Sequence, residues 1–247
     1  MGNLSLIDYN ANMSITIKII YDNCKVREEL KEGWGFSALI ETKERKILFD
    51  TGNDLQAFVF NSEKLSIDYK TITDVVFSHK HRDHTTGCEE ILKKLRSDVP
   101  VFLPKGFPLN KIPTHLHTQT VTEFSQLGPG IFSIPLRGGL FLQEQALLLQ
   151  TEKGVVVVTG CAHAGIVNIL KTAKQKLGAP IYFVLGGFHL FRARKATVNG
   201  IVAEFGNLQV QQVAPCHCSG ALAIRRFQEV YQSNFHQIGV GSILAIG

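Results

Sequence analysis

Apolar and polar positions fall in short alternating blocks along this chain, and the blocks predict strands and helices in turn. ITIKIIYD, FSALIET and KILFDTG are β-branched, apolar segments of strand length, and the last closes on the turn signal Asp-Thr-Gly. A helix is expected around Leu55 to Ser62. TDVVFS is the next strand, and it runs straight into the polar segment HKHRDH. CEEILKKLRS carries apolar residues at helical spacing with charges between them, and VPVFLP returns to strand.

From about Lys105 to Glu144 the pattern is least regular. It holds Pro108, Pro113, Pro129, Pro135 and the pair Gly138-Gly139, and it reads as loops of the kind that cover active sites. Beyond it, ALLLQTEKGVVVVTG predicts two strands joined at Glu152-Lys153-Gly154. IVNILKTAKQKLG predicts a helix with a glycine at its C-terminus. IYFVLGGF is a strand, Ala196 to Phe205 a helix, VQQVAPCH a strand, ALAIRRFQEVY a helix, and HQIGVGSILAIG ends the chain in short strands.

This alternation indicates an α/β protein. Two facing sheets with helices outside fit the pattern, and so does a doubly wound sheet. No repeat or Gly/Ser-rich linker divides the chain. It is read as one domain over 13–247 after a loose extension over 1–12, with Met13 as an alternative start.

Composition narrows the class. Of 247 residues, 45% are apolar and 19% charged, which is ordinary for one α/β domain with a sizeable core. No apolar run reaches the roughly 20 residues of a spanning helix. The N-terminus lacks a secretory pattern, and Leu6 breaks the myristoylation motif that MGNLSL approaches. Five cysteines (Cys24, Cys88, Cys161, Cys216 and Cys218) are odd in number and irregularly spaced, so a reducing cytoplasm is expected instead of a disulfide framework. A net charge of +5 suits a small anionic substrate and offers no stripe for nucleic acid.

The strongest chemical signal is His79-Lys80-His81-Arg82-Asp83-His84, set between a strand and a helix. Residues i and i+2 of an extended segment point the same way, so His79 and His81 can grip one ion. After the turn, Asp83 and His84 face a neighbouring position. Imidazole and carboxylate suit zinc first, and also iron or manganese. His163 in TGCAHAG and His217 in APCHCSG each stand where a strand gives way to a helix, the place where α/β proteins put their chemistry.

HxHxDH after a buried strand resembles the signature of the metallo-β-lactamase superfamily, and LFDTG resembles its first motif. The resemblance implies a four-layer αββα sandwich. It implies that His79, His81 and His163 hold a first divalent ion, and Asp83, His84 and His217 a second. Asp50 is implied as a supporting residue that orients the ligands by hydrogen bonds. In most members an aspartate bridges the two ions, and here Gly160-Cys161 stands in its place. A Cys161 thiolate is one substitute. His189 in LGGFHL is the other candidate, as ligand, proton donor or substrate contact.

YDN, GWGFSALIE, KILFDTG, SHKHRDH, LQEQALLLQTEKGVVVVTGCAHAGI, VLGGFHL and PCHCSG follow in the order of one subgroup. That subgroup is similar to the dihydropterin–ribofuranosylaminobenzene 5′-phosphate synthase-like metallo-hydrolases. The implied functions are a metal-dependent hydrolase of a small phosphorylated or ester substrate, with one or two ions, or a pterin-linked transferase releasing diphosphate. Asp83 and His189 are the candidate catalytic side chains. A phosphodiesterase or nuclease, and a non-catalytic binding module, are the alternatives. Trp34, His115, His117, Cys216, Cys218, Lys105, Arg192, Arg194 and Lys195 default to core or solvated surface.

Overall fold

The computed structural model of the chain describes residues 14–139 and 142–247; the extension expected over 1–12 lies outside the described residues. In chain order the elements are β1 (Ile15–Tyr21), β2 (Ser37–Glu41), β3 (Lys46–Phe49), α1 (Leu55–Lys64), β4 (Asp74–Val76), α2 (Arg82–Thr85), α3 (Cys88–Leu92), β5 (Pro100–Pro104) and β6 (His117–Val121). Then come β7 (Ser125–Gly128), β8 (Ile131–Gly138), β9 (Leu142–Thr151), β10 (Gly154–Thr159), α4 (Ile166–Leu177), β11 (Ile181–Gly187), α5 (Lys195–Asn207), β12 (Gln212–Cys216), α6 (Gly220–Tyr231) and β13 (Ile243–Ile246). One sheet runs β13-β1-β2-β3-β4-β5-β6, and the other β12-β11-β10-β9-β8-β7.

Three apolar clusters show how these elements stack. Ile17, Phe49, Val76 and Phe102 of the first sheet meet Leu147, Val156, Val158, Leu185 and Ala214 of the second. The outer face of the first sheet, with Leu48, Val75 and Val101, is covered by Phe58 of α1 and by Ile91 and Leu92 of α3. The outer face of the second, with Val155, Val157, Val184 and Val213, is covered by Ile169 and Leu170 of α4, Phe205 of α5 and Phe227 of α6. The layers are therefore α, β, β, α. Strand β10 shows why its sequence is apolar throughout: alternate valines face the helices and the opposite sheet, and all are buried. Each such side chain contributes about 1.5–3 kcal/mol on burial.

Two expectations from the sequence need correcting. The helix expected across CEEILKKLRS ends at Leu92 and continues as tight turns, with Lys94 and Leu95 bonded back three residues to Ile91 and Leu92. About half of the region from Lys105 to Glu144 is sheet, since β6, β7 and β8 lie in it. Pro135 sits inside β8, opposite Gln145 of β9. On its other side β7 pairs only as far as Ser133, so the missing proline N–H leaves no ladder bond unmade there.

The sheets are tied by a polar contact that bears on the site. Gln145 of β9 donates its side-chain amide to the carbonyls of Phe77 (2.8 Å) and Phe102 (3.1 Å), and its backbone N–H to Ser78 (2.8 Å). This fixes the segment between β4 and the histidines. All five cysteines are free thiols. No helix among the described residues is long and apolar enough to cross a membrane.

Candidate metal centre

Strands β3 and β4 run parallel, as do β10, β11 and β12, so their C-terminal ends gather at one edge of the sandwich. Asp50 follows β3, His79 follows β4, Cys161 and His163 follow β10, His189 follows β11 and His217 follows β12. Close to the strand ends, Asp50 (φ 57°), Ala162 (58°), His189 (55°) and His217 (47°) hold a left-handed backbone. Such conformations cost energy and gather where side chains must be aimed. His81 is still extended at the start of α2, whereas Asp83 and His84 lie in α2, so the segment presents its ligand atoms on two adjacent spots.

At the first spot, His79 Nε2 lies 3.1 Å from His81 Nδ1 and 3.2 Å from His163 Nε2. At the second, Asp83 Oδ2 lies 3.4 Å from His217 Nε2 and 3.7 Å from His84 Nε2. Cys161 Sγ stands 3.2 Å from His84 Nε2 and 3.3 Å from His217 Nε2, and it also groups with His79 and His163. It therefore adjoins both spots. The His189 ring centroid lies 4.2 Å from that of His163, tilted at 51°, and its ligand atoms group with the sulfurs of Cys161 and Cys218. The structure thus brings together His79, His81, Asp83, His84, His163, His217, Cys161 and His189. Exposed His115 and His117 are outside this group, as are Lys105, Arg194 and Lys195.

A set of buried partners holds these side chains. Asp50, 0% exposed, accepts from the Ser78 N–H (2.7 Å) and hydroxyl (2.6 Å) and lies 2.7 Å from His84 Nδ1. The Ser78 hydroxyl is also 2.9 Å from His79 Nδ1. Glu144 accepts the backbone N–H groups of His163 (2.9 Å) and Ala164 (2.6 Å). Asn23 places its side-chain oxygen 3.0 Å from His217 Nδ1, and Asp22 accepts the His217 N–H at 3.1 Å. Trp34 donates its indole N–H to Asp83 at 3.0 Å. Each imidazole nitrogen opposite these contacts is left facing the cluster. Asn23, Glu144, Trp34 and Cys218 carried no such role in the sequence reading. A carboxylate within the apolar run of LQEQALLLQ was the one available sign, since burying a charge requires partners.

The electrostatics fit cation binding. Burial, then the other imidazoles, push His163 down to about 3, and they hold His79 well below its ordinary value. Both are therefore neutral and free to donate lone pairs. Burial alone would lower His84, but Asp50 beside it raises it instead. Burial works to raise the Asp83 carboxyl, yet the hydrogen bond to His217 and the nearby imidazoles hold it ionised well below the usual range. The neighbouring Cys218 thiol and burial push Cys161 up. Hydrogen bonding to Cys218 raises His189.

Nitrogens about 2.0–2.1 Å from a shared tetrahedral ion lie about 3.3–3.4 Å apart, and a thiolate at about 2.3 Å lies slightly farther away. The observed nitrogen–nitrogen separations of 3.1–3.2 Å and nitrogen–sulfur separations of 3.2–3.3 Å fall close to these edges. The residues present fit divalent ions, and clusters able to hold metal recur throughout this edge.

Sandwich and strand-end cluster together define a protein of the metallo-β-lactamase fold. A solved metal-dependent hydrolase of the beta-lactamase superfamily superposes with a TM-score of 0.80 and 28% identity, over 94% of this chain and 99% of the other. The chain is 28% identical to the 7,8-dihydropterin-6-methyl-4-(beta-D-ribofuranosyl)-aminobenzene-5'-phosphate synthase of Methanocaldococcus jannaschii, over 85% of this chain and 89% of that protein. The family described as anti-Pycsar protein Apyc1 matches residues 29–99, the segment that holds Asp50 and the histidine motif. Human tRNase Z, short form, shares the fold, with a TM-score of 0.63 and 12% identity over 94% of this chain and 99% of that one. The synthase and the metal-dependent hydrolase are enzymes.

Proposed function

We propose that this chain is a metal-dependent hydrolase that acts on a small phosphorylated or ester-type substrate. The carrying observation is the approach of His79 Nε2 to His81 and to His163, and the grouping of Asp83, His84 and His217 beside it, with Cys161 adjoining both. Those two sets would hold one or two divalent ions, zinc first by ligand chemistry, with manganese, iron or magnesium as alternatives. When bound, such ions supply Lewis-acid charge to a phosphoryl or carbonyl oxygen and make water a nucleophile near neutral pH.

The chain's own groups supply the rest. Asp83 remains ionised and takes one hydrogen bond from Trp34, which fixes its orientation and leaves it able to align a water proton. His189 stands at the exposed edge of the cluster with its pKa raised, so it can hold a proton for a departing oxygen. The His217 and His163 loops are immobilised by Asn23, Asp22 and Glu144, so little reorganisation is needed as substrate enters.

The similarity to the M. jannaschii synthase supports a second reading, a pterin-linked transferase that releases diphosphate. In that reading the ions held by the same residues would neutralise the diphosphate leaving group. The test is to strip metal with chelator, restore zinc or manganese, and assay phosphodiesters, phosphomonoesters, thioesters and a pterin diphosphate. Activity that returns with metal and is lost in His84→Ala is expected. Turnover undiminished by the chelator would overturn both readings.

A further inference from the structure

Strands β10, β11 and β12 lie side by side and run parallel, with Thr159 opposite Gly186 and Gly187 opposite Cys216. Each sends one ligand past its C-terminal end: Cys161 from β10, His189 from β11 and Cys218 from β12. The two sulfurs and a His189 ring nitrogen all lie within 4.8 Å of one another, in a group that contains no carboxylate.

Buried cysteines behave as small apolar side chains in most cores. Here the backbone is shaped around the sulfurs. A Cβ on Gly187 would come 2.6 Å from Cys218 Sγ and 3.2 Å from Cys161 Cα, so a residue without a side chain leaves the room the thiols occupy. Cys218 Sγ accepts the His189 backbone N–H at 3.3 Å and donates to the Cys161 carbonyl at 3.6 Å, which ties the three strand ends together. Cys161 is 3% exposed and Cys218 1%, whereas His189 is exposed, so the triad opens to solvent past the imidazole. Thiolates about 2.3 Å from one ion lie about 3.8 Å apart if it is tetrahedral and about 4.6 Å apart if it is linear, and the observed grouping admits either.

We propose that Cys161, His189 and Cys218 form a third, sulfur-rich ligand set for one thiophilic ion of the monovalent copper class. Two thiolates and an imidazole, with no oxygen donor, favour a soft ion, whereas Asp83 and the histidines beside it favour zinc or manganese. On binding, each thiol gives its proton to solvent and its sulfur lone pair to the ion. The consequence for turnover rests on the hydrolase reading. Cys161 also faces His84 and His217 at 3.2 and 3.3 Å, so an ion held by the triad draws that sulfur from the neighbouring set and occupies His189 as well. Copper seated here therefore loosens zinc and blocks the hydrolytic site.

The experiment titrates the full chain, metal-free and zinc-loaded, with monovalent copper under anaerobic conditions against bicinchoninate as a coloured competitor. X-ray absorption then counts the sulfurs on the bound copper. One equivalent held through two sulfurs is expected. Loss of a residue that only orients a ligand costs a metal site about 10–100-fold, so loss of a thiolate should cost at least about 100-fold in Cys161→Ser and in Cys218→Ser. His189→Ala changes an exposed side chain and should weaken copper by about tenfold without disturbing the fold, imidazole being the weaker donor to a soft ion. His81→Ala removes a ligand from another set alone and should leave copper affinity unchanged. Wild type that binds no copper tightly, or an affinity indifferent to Cys218→Ser and His189→Ala, would overturn the site and leave the zinc reading standing. Copper that is lost in His81→Ala instead would do the same, by placing the ion among the histidines. Copper bound through two sulfurs in a chain that holds no zinc would keep the site and discard the hydrolytic reading.

Discussion

Replacing Asp50 by alanine removes the buried anion beneath the centre. The carboxylate accepts from the Ser78 N–H and hydroxyl at 2.7 and 2.6 Å and faces His84 Nδ1 at 2.7 Å, and both Asp50 and His84 are 0% exposed. The substitution leaves a buried N–H and an imidazole without partners, and breaking a buried charge pair from one side costs about 3–5 kcal/mol. For a chain of this size each kcal/mol moves the midpoint by about 2–4 °C, so Tm should fall by roughly 6–20 °C. Because His84 loses its orienting acceptor, zinc affinity should also fall by about 10–100-fold. Thermal melts give the first quantity, and competition with a chromophoric chelator gives the second. A melting point within about 2 °C of wild type, with unchanged zinc affinity, would refute the reasoning that Asp50 holds the ligand frame.

Other consequences follow from the same geometry. A Cβ on Gly160 would collide with the Ser78 hydroxyl and come 3.0 Å from Asp50 Oδ2, so Gly160→Ala should cost about 1–3 kcal/mol in urea denaturation and weaken zinc binding. Cys161→Ala should weaken zinc binding, whereas Cys161→Asp should retain it; in the cobalt-loaded protein wild type should show a thiolate charge-transfer absorption that both variants lack. His163 is pushed from 6.5 down to about 3, so the unfolded chain takes up its proton first as pH falls. Its contribution to metal-free stability is complete above about pH 6.5 and lost progressively toward pH 3, and Tm should therefore fall less steeply with acid in His163→Asn than in wild type.

Much of the architecture was legible because it rests on local pattern. The valines of β10 and the periodicity of α4 identify themselves, and the histidine motif carries its spacing in six consecutive residues. The segment from Lys105 to Glu144 was misread because Pro135 signals a loop locally, and only the short partner β7 explains how a strand tolerates it. The supporting residues were hidden for a similar reason. Asn23 meets His217 across 194 positions, and Glu144 reaches the His163 loop across 19, so neither role is written in nearby sequence. Cys218 read as a small buried residue, and its place beside Cys161 and His189 depends on β10, β11 and β12 ending together.

The most direct test of the central claim is elemental analysis of metal per chain, on wild type and on His84→Ala, His163→Ala and Cys161→Ala. The two adjoining ligand sets predict near two ions in wild type, with loss in each histidine variant and a smaller loss in the cysteine variant. A wild-type chain that holds no stoichiometric metal, or a content indifferent to all three changes, would contradict the account.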